Sequence, residues 1–318
     1  MANQYTGTDT SGNVVANPSA LRSIYSLDIE HEAMGVMRYE EFAVQKTELG
    51  TAPGDSITVT TYNNLARGGE LTEGISLETK SMSATEAKIL VKEFGNAIGL
   101  TERLAQLSWD DMMAEGSVLL GRDYATVRDL MLRDALVAGG NVIFANPSAS
   151  ALVGVTDDDV MDVEVIRLGV ENLSTANAPK FRGDFYICFV HPHQAAALKR
   201  DPEWISAQRY AGSRRIFNGE IGRWEDVVFI QTTHQGNGVA GSADAGYDAT
   251  LVGTGAAAAD LYRATLFSDQ AIGLADALPV ELRDDGVKDF GRLHGLAWYG
   301  IWGAKVLEND YVHHIITA

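Results

Sequence analysis

Two histidine pairs, a lone cysteine, a glycine-rich hexapeptide and two acidic runs are the places where residue type and spacing invite chemistry. His191 and His193 flank Pro192, and His313 adjoins His314. A zinc centre needs three or four ligands at defined spacing, and neither a Cys pair nor an H-E-x-x-H helix accompanies these histidines. Adjacent His313 and His314 in a strand point to opposite faces, and Pro192 interrupts any strand that would carry the other pair. All four read as structural histidines. Cys188 lies inside the apolar run FYICFV, where a thiol is buried and inert rather than an activated nucleophile. Gly253 and Ala258 bound the hexapeptide GTGAAA, which mimics a dinucleotide-binding G-x-G-x-x-A with Asp276 as its distant acidic residue. That motif works only between a strand and a helix. Here only residues 249–252 precede it, so it reads as a tight turn with small-residue packing. Asp157 to Asp159 read as a helix start, and Asp284 with Asp285 as a solvated turn, rather than as hard-cation sites. Neither a G-x-S-x-G elbow nor a P-loop occurs. No catalytic, cofactor-binding or metal-ligating residue is assigned, and no cofactor is expected.

Composition narrows the field further. The chain has 318 residues, with 25 Lys and Arg against 43 Asp and Glu, a net charge of −18. Such a balance excludes a basic nucleic-acid-binding surface as the main function. It fits either plain solubility or a protein that lies beside a polyanion without gripping it. The 46% hydrophobic and 21% charged content is that of a globular chain. No stretch reaches the roughly 18–20 apolar residues of a membrane span. The opening MANQYTGTDTSGNVV lacks the basic and apolar regions of a secretory signal. The single cysteine is in keeping with a reducing compartment.

The elements that position these residues follow from periodicity. Residues 1 to about 35 are polar and Gly-bearing, too poor in apolar area to form core alone, and read as either a disordered tail or an extended arm that gains order by lying on something else. Residues 55–62 (DSITVTTY) and 87–94 (AKILVKEF) alternate as strands. Between them runs an exposed excursion of about 20 residues, unusually long for a compact domain. Residues 110–138 carry the longest helical signal. Leu120, Tyr124, Val127 and Met131 form one stripe, Arg122, Asp129 and Arg133 take the other side, and Gly139-Gly140 ends the helix. Gly116 and Gly121 are points where it can bend. A second helix is expected from a Thr156 or Asp157 cap to about Glu171, with Val160, Val163, Ile166 and Val170 on one face. The runs 185–190 and 227–230 predict buried strands, and 193–200 a short helix after His191-Pro192. Residues 233–248 predict a Gly-rich surface loop, and 298–306 and 311–316 closing strands.

Taken in order, these pieces resemble the major capsid protein of tailed double-stranded DNA phages, the Hong Kong 97-type fold. They look most like those of N4-type podophages. The resemblance rests on FYICFVHPHQAAA (strand, His-Pro, helix), on NGEIGRWEDVVFI (a turn entering a strand) and on the C-terminal FGRLHGLAWYGIWGAKVLENDYVHHIITA. It implies an α+β chain with an N-terminal arm (1–45) and an extended β-hairpin loop (46–95). A peripheral domain (96–154 and 286–318) would contain a spine helix (110–138), and an axial domain would span 155–285. It implies self-assembly as pentamers and hexamers into an icosahedral shell around DNA, which would be held only as non-specific contents. Portal, scaffolding and decoration proteins are the further partners, and no membrane is involved. The location implied is the virion, after assembly in the host bacterial cytoplasm. Assembly contacts are expected at the loop tip, Arg67, Gly68, Gly69, Glu70, Glu73, Glu78 and Lys80, with Leu120, Tyr124, Val127 and Met131 as the spine-helix face. The family often has Gly before the Val-rich strand; Glu225-Asp226 stand there instead, which puts that turn's geometry in question. The Lys–Asn cross-linking of some relatives is not carried over to Lys80, Lys88, Lys92 or Asn309. Two alternatives are an encapsulin-like compartment shell of the same fold and a nucleotide-dependent enzyme using the Gly253 to Ala258 segment.

Overall fold

The computed structural model describes residues 6–8, 14–16, 37–46, 56–62, 65, 67, 70, 79–108, 112–205, 220–239, 246–252, 260–286 and 288–318. Its first half contains strands β1 (Thr6–Thr8), β2 (Val14–Ala16), β3 (Val44–Lys46), β4 (Ser56–Tyr62), β5 (Ala84–Leu90) and β6 (Lys92–Thr101), helices α1 (Glu102–Leu107) and α2 (Met112–Val137), and β7 (Asn141–Phe144). Helix α3 (Val163–Thr175), β8 (Tyr186–Val190), α4 (Pro192–Leu198), β9 (Glu220–Trp224) and β10 (Val227–Gln231) follow. The chain closes with β11 (Tyr262–Phe267), β12 (Ile272–Asp284), β13 (Leu293–Val306) and β14 (Val312–Thr317).

Two larger sheets organise the body. One has six strands in the order β7-β14-β11-β8-β10-β9, the other four in the order β3-β12-β13-β6. Strand β8 sits inside the six-stranded sheet, parallel to β10 and antiparallel to β11. All five of its residues are buried, which is why YICFV reads as an unbroken apolar run rather than an alternation. Cys188 within it is fully buried, and burial raises its thiol pKa. His191 caps α4: its Nδ1 accepts the His193 amide proton at 3.3 Å, while the Gln194 side chain accepts the His191 amide proton at 3.2 Å. The histidine after the strand is thus a cap.

Helix α2 spans both sheets. Over its 26 residues, about 39 Å at 1.5 Å per residue, the first half packs on the four-stranded sheet. There Leu120, Tyr124 and Ala125 meet Val280, Leu282, Leu296, Trp298 and Trp302. The second half packs under the six-stranded sheet, where Leu132 and Leu136 meet Tyr39, Phe42, Ile187, Phe189 and Phe267. The helix runs unbroken through Gly116 and Gly121. Past its end Gly140 adopts φ +85°, the left-handed conformation expected of a glycine cap.

Several expectations are corrected. Asp129 and Arg133 do not face solvent; they are 0% and 9% exposed, because the inward face of α2 is partly polar. Helix α3 starts at Val163, capped by Asp162, whose carboxylate accepts from the Val165 amide at 3.0 Å. Asp157 to Asp159 instead belong to the turn before it, where the Asp159 carboxylate accepts from both the amide and the hydroxyl of Thr156, and Val160 is exposed. The described part of 233–248 is no surface loop, since His234, Gln235 and Asn237 are buried. Residues 87–94 are not one strand. β5 ends at Leu90 and pairs with β4, while β6 starts at Lys92 and pairs with β13. Strand pairing also cuts across the expected boundaries. β12, expected within 155–285, lies in the four-stranded sheet, whereas β7 and β14, expected in the other unit, lie in the six-stranded one. A strand's sheet is set by the partner that completes its hydrogen bonds, not by its neighbours in sequence. His313 and His314 are both buried. His314 is hydrogen-bonded, whereas neither ring nitrogen of His313 has a partner among the described residues, so only one of the two is satisfied.

Candidate assembly surface

Among the described residues, the β4–β5 ribbon is anchored at its base. Ile57 and Ile89, 7% and 0% exposed, pack with Ala275. A Cβ at Gly303 would lie 2.0 Å from the Leu90 carbonyl oxygen, so only glycine lets β13 pass that close to the base. Farther out the ribbon leaves the body. Thr60 to Tyr62 and residues 79–86 are exposed, with Tyr62 at 67% and Met82 at 72%. An isolated two-stranded ribbon is marginally stable in water, and apolar side chains on its outer part gain most by covering another surface. Arg67, Glu70 and Lys80 are exposed. Gly68, Gly69, Glu73 and Glu78 lie outside the described residues, as do 253–258. Asn309, far from the ribbon in sequence, accepts from the Gly140 amide at 3.3 Å through its side chain.

The expected spine-helix face belongs to the chain's own core. Leu120 and Tyr124 are buried, with the Tyr124 ring 5.6 Å from those of Trp298 and Trp302. Val127 and Met131 are partly buried against the same cluster.

Sequence reading missed a polar knot that ties residues 37–46 to α2. The Asp129 carboxylate accepts the backbone amides of Arg38 at 2.8 Å and Tyr39 at 2.9 Å, and its other oxygen lies 2.6 Å from His234 Nδ1. Both terminal nitrogens of Arg128 donate to Asp276 at 3.0 Å, and one also reaches Glu40 at 2.7 Å. Burial opposes the Arg128 charge, yet the hydrogen bonds it donates to Asp276 and Glu40 outweigh it and raise its pKa. The Tyr39 hydroxyl donates to the Gln235 side chain. Burial, then the nearby Asp129 charge, push the Tyr39 pKa well up, so the hydroxyl keeps its proton. Gln235 donates to the Thr265 hydroxyl at 2.7 Å, and Thr265 lies 3.2 Å from His314 Nδ1. His314 Nε2 donates to the carbonyls of Leu136 and Gly139 at 3.2 and 2.8 Å. Residues 37–45, expected in the arm, are therefore body: Tyr39 and Phe42 are core, and β3 pairs with β12. The partners of these buried charges lie on other elements, so no local pattern marks them. Among the described residues no cluster of His, Cys, Asp and Glu has the arrangement of a metal site.

A family model described as phage capsid protein matches residues 135–307. In structure the chain is similar to the capsid of Ralstonia phage GP4, with TM-score 0.69 and 16% identity over 89% of this chain and 91% of that one. It is also similar to the capsid asymmetric unit of Cyanophage Pam1, with TM-score 0.70 and 15% identity over 87% and 88%. A third likeness is to the capsid of Helicobacter pylori bacteriophage KHP30, with TM-score 0.63 and 15% identity over 86% of each chain. No curated protein matches the chain in sequence.

Proposed function

Because the chain belongs to the phage capsid protein family, matched over residues 135–307 of its 318, we propose that it is the repeated subunit of an icosahedral head shell. It is a structural protein of the virion, not an enzyme, and its fold is the Hong Kong 97-type capsid fold. The observation that carries the reading is surface left over by folding. Among the described residues, the outer β4–β5 ribbon stands in solvent with Tyr62 67% and Met82 72% exposed, apolar surface of the kind that interfaces between copies bury.

In this reading α2 and the four-stranded sheet form the peripheral domain. The six-stranded sheet with α3 and α4 forms the axial domain that meets its copies around pentamer and hexamer centres. The ribbon tip, with Arg67, Glu70 and Lys80, lies on a neighbouring subunit, a head-to-tail contact that closes rings. The charge of −18 lets packed DNA lie within the shell without adhering to it. Partners beyond its own copies are a portal and a scaffolding protein, met in the host cytoplasm. Expression of the full chain in a bacterial host, alone and with its scaffold, followed by negative-stain electron microscopy, tests the reading. Closed polyhedral or rounded shells are expected, and a chain that stays a 34.3 kDa monomer in both conditions overturns it.

A further inference from the structure

Strands β12 and β13 pair within the four-stranded sheet, β13 also pairing with β6 as far as Leu293, and they are joined through a turn at Asp289–Gly291. Three successive residues there take left-handed backbone angles: Asp289 at φ 48°, Phe290 at φ 56° and Gly291 at φ 88°. Glycine adopts such angles freely, whereas a bulky aromatic does so only at a cost in strain. In this conformation Phe290 stands in solvent, 102% exposed. The turn around it is well tied. Lys288 pairs with Asp285, Arg292 with Asp289 at 3.3 Å, and the Glu102 amide donates to the Arg292 carbonyl at 2.9 Å. Phe290 is therefore presented between residues that are tied to their neighbours.

Beside it, where α1 meets the foot of β13, lies a groove of about 550 Å³. Its apolar part is Leu107 and Leu293, 74% and 45% exposed. Its rim alternates in sign, with Glu102 and Asp289 against Arg103 and Arg292, and Phe290 is not part of its lining. A strained, fully exposed aromatic next to an unfilled apolar groove is a knob and a hole on one tip.

We propose that Phe290 of one copy of this chain seats in the Leu107–Leu293 groove of another, making the β12–β13 tip a lock between copies. The occupant is a second copy for two reasons. The rim carries equal numbers of both signs, which suits a like tip and disfavours a strongly acidic or basic partner. Phe290 also lies next to Asp289 and three residues before Leu293, both of which line the groove, so copies that meet tip to tip satisfy knob and hole at once in a closed symmetric contact. The inference rests on the shell reading and names one of its contacts.

The full chain is tested in two ways. In the first, wild type, Phe290→Gly and Leu107→Glu are compared for thermal midpoint as unassembled chain and for shell formation by sedimentation. Phe290→Gly relieves the left-handed strain, so its midpoint should equal or exceed that of wild type while the concentration needed for shells rises at least tenfold. A residue with a merely structural role would lower both. Leu107→Glu, on a different element, should repeat the assembly defect. Shells of Phe290→Gly forming at the wild-type concentration overturn the lock. In the second, Phe290→Cys combined with Gln106→Cys, a groove residue, is oxidised in solution. Cys188, the only native thiol, is buried and does not compete. Disulfide-linked copies support the lock whether or not shells form, and their absence overturns it. If wild type forms no shells while the double-cysteine variant still cross-links, the shell reading is overturned and the lock stands.

Discussion

His314 is held neutral in the folded chain. Burial is the larger cause, and its pKa is pushed down to about 4. Its Nε2 hydrogen serves two carbonyls and its Nδ1 faces the Thr265 hydroxyl, an arrangement that uses one proton on the ring. The unfolded chain titrates near 6.5. As pH falls below 6.5 the unfolded state takes up a proton that the folded state refuses, and stability drops until the folded pKa near 4 is reached. The loss across that window is about 3 kcal/mol. His313, also lowered by burial, acts in the same direction. Thermal midpoints of the unassembled chain between pH 7 and pH 4 should fall accordingly. His314→Gln should flatten that slope whatever its midpoint at pH 7, and an unchanged slope would refute the assignment.

The hairpin of β9 and β10 turns on Glu225, whose φ of 48° is left-handed. The residue that departs from the family's glycine thus occupies a glycine conformation, and the turn geometry is retained at a cost. Glu225→Gly should raise stability by about 0.5–1 kcal/mol. It removes only an exposed ion pair with Arg167 at 3.5 Å, worth little. Reversible denaturant unfolding measures the gain, and a loss would mean that the ion pair outweighs the strain. Other elements were legible to different degrees. α2 announced itself through its 3.6-residue period, and β8 and β10 through unbroken apolar runs. β12 did not, because IGLADALPVELRD carries Pro279 and does not alternate. Its register with β13 shifts between Asp276 and Leu278 and again between Leu278 and Glu281, and irregular pairing of that kind is where a strand admits proline.

On the scale of the whole molecule, residues 37–46 are part of the body, since Tyr39 and Phe42 are buried and β3 pairs with β12. Deleting residues 1–36 should leave a cooperatively folding chain. Deleting 1–46 should abolish the cooperative transition, because it removes buried Tyr39 and Phe42, each worth about 3–5 kcal/mol. It also strips Glu40 from Arg128 and two amides from Asp129. Circular dichroism melts of the two truncations decide this, and equal midpoints would place residues 37–46 outside the core.

What the sequence alone determined was what local pattern can record: a long helix, buried strands, a strand stopped at His191-Pro192 before a short helix, an exposed excursion between two strands, and the lack of any metal, nucleophile or phosphate-binding motif. Which polar groups turn inward was decided by tertiary structure. Asp129 meets His234 at a separation of 105 residues, and Tyr39 meets Gln235 at 196. Periodicity reports how a segment lies on its own axis; it cannot report which distant donor will satisfy a charge. Phe290 shows the same limit from outside, since an aromatic in a C-terminal apolar stretch looks like core until the backbone turn that holds it in water is seen.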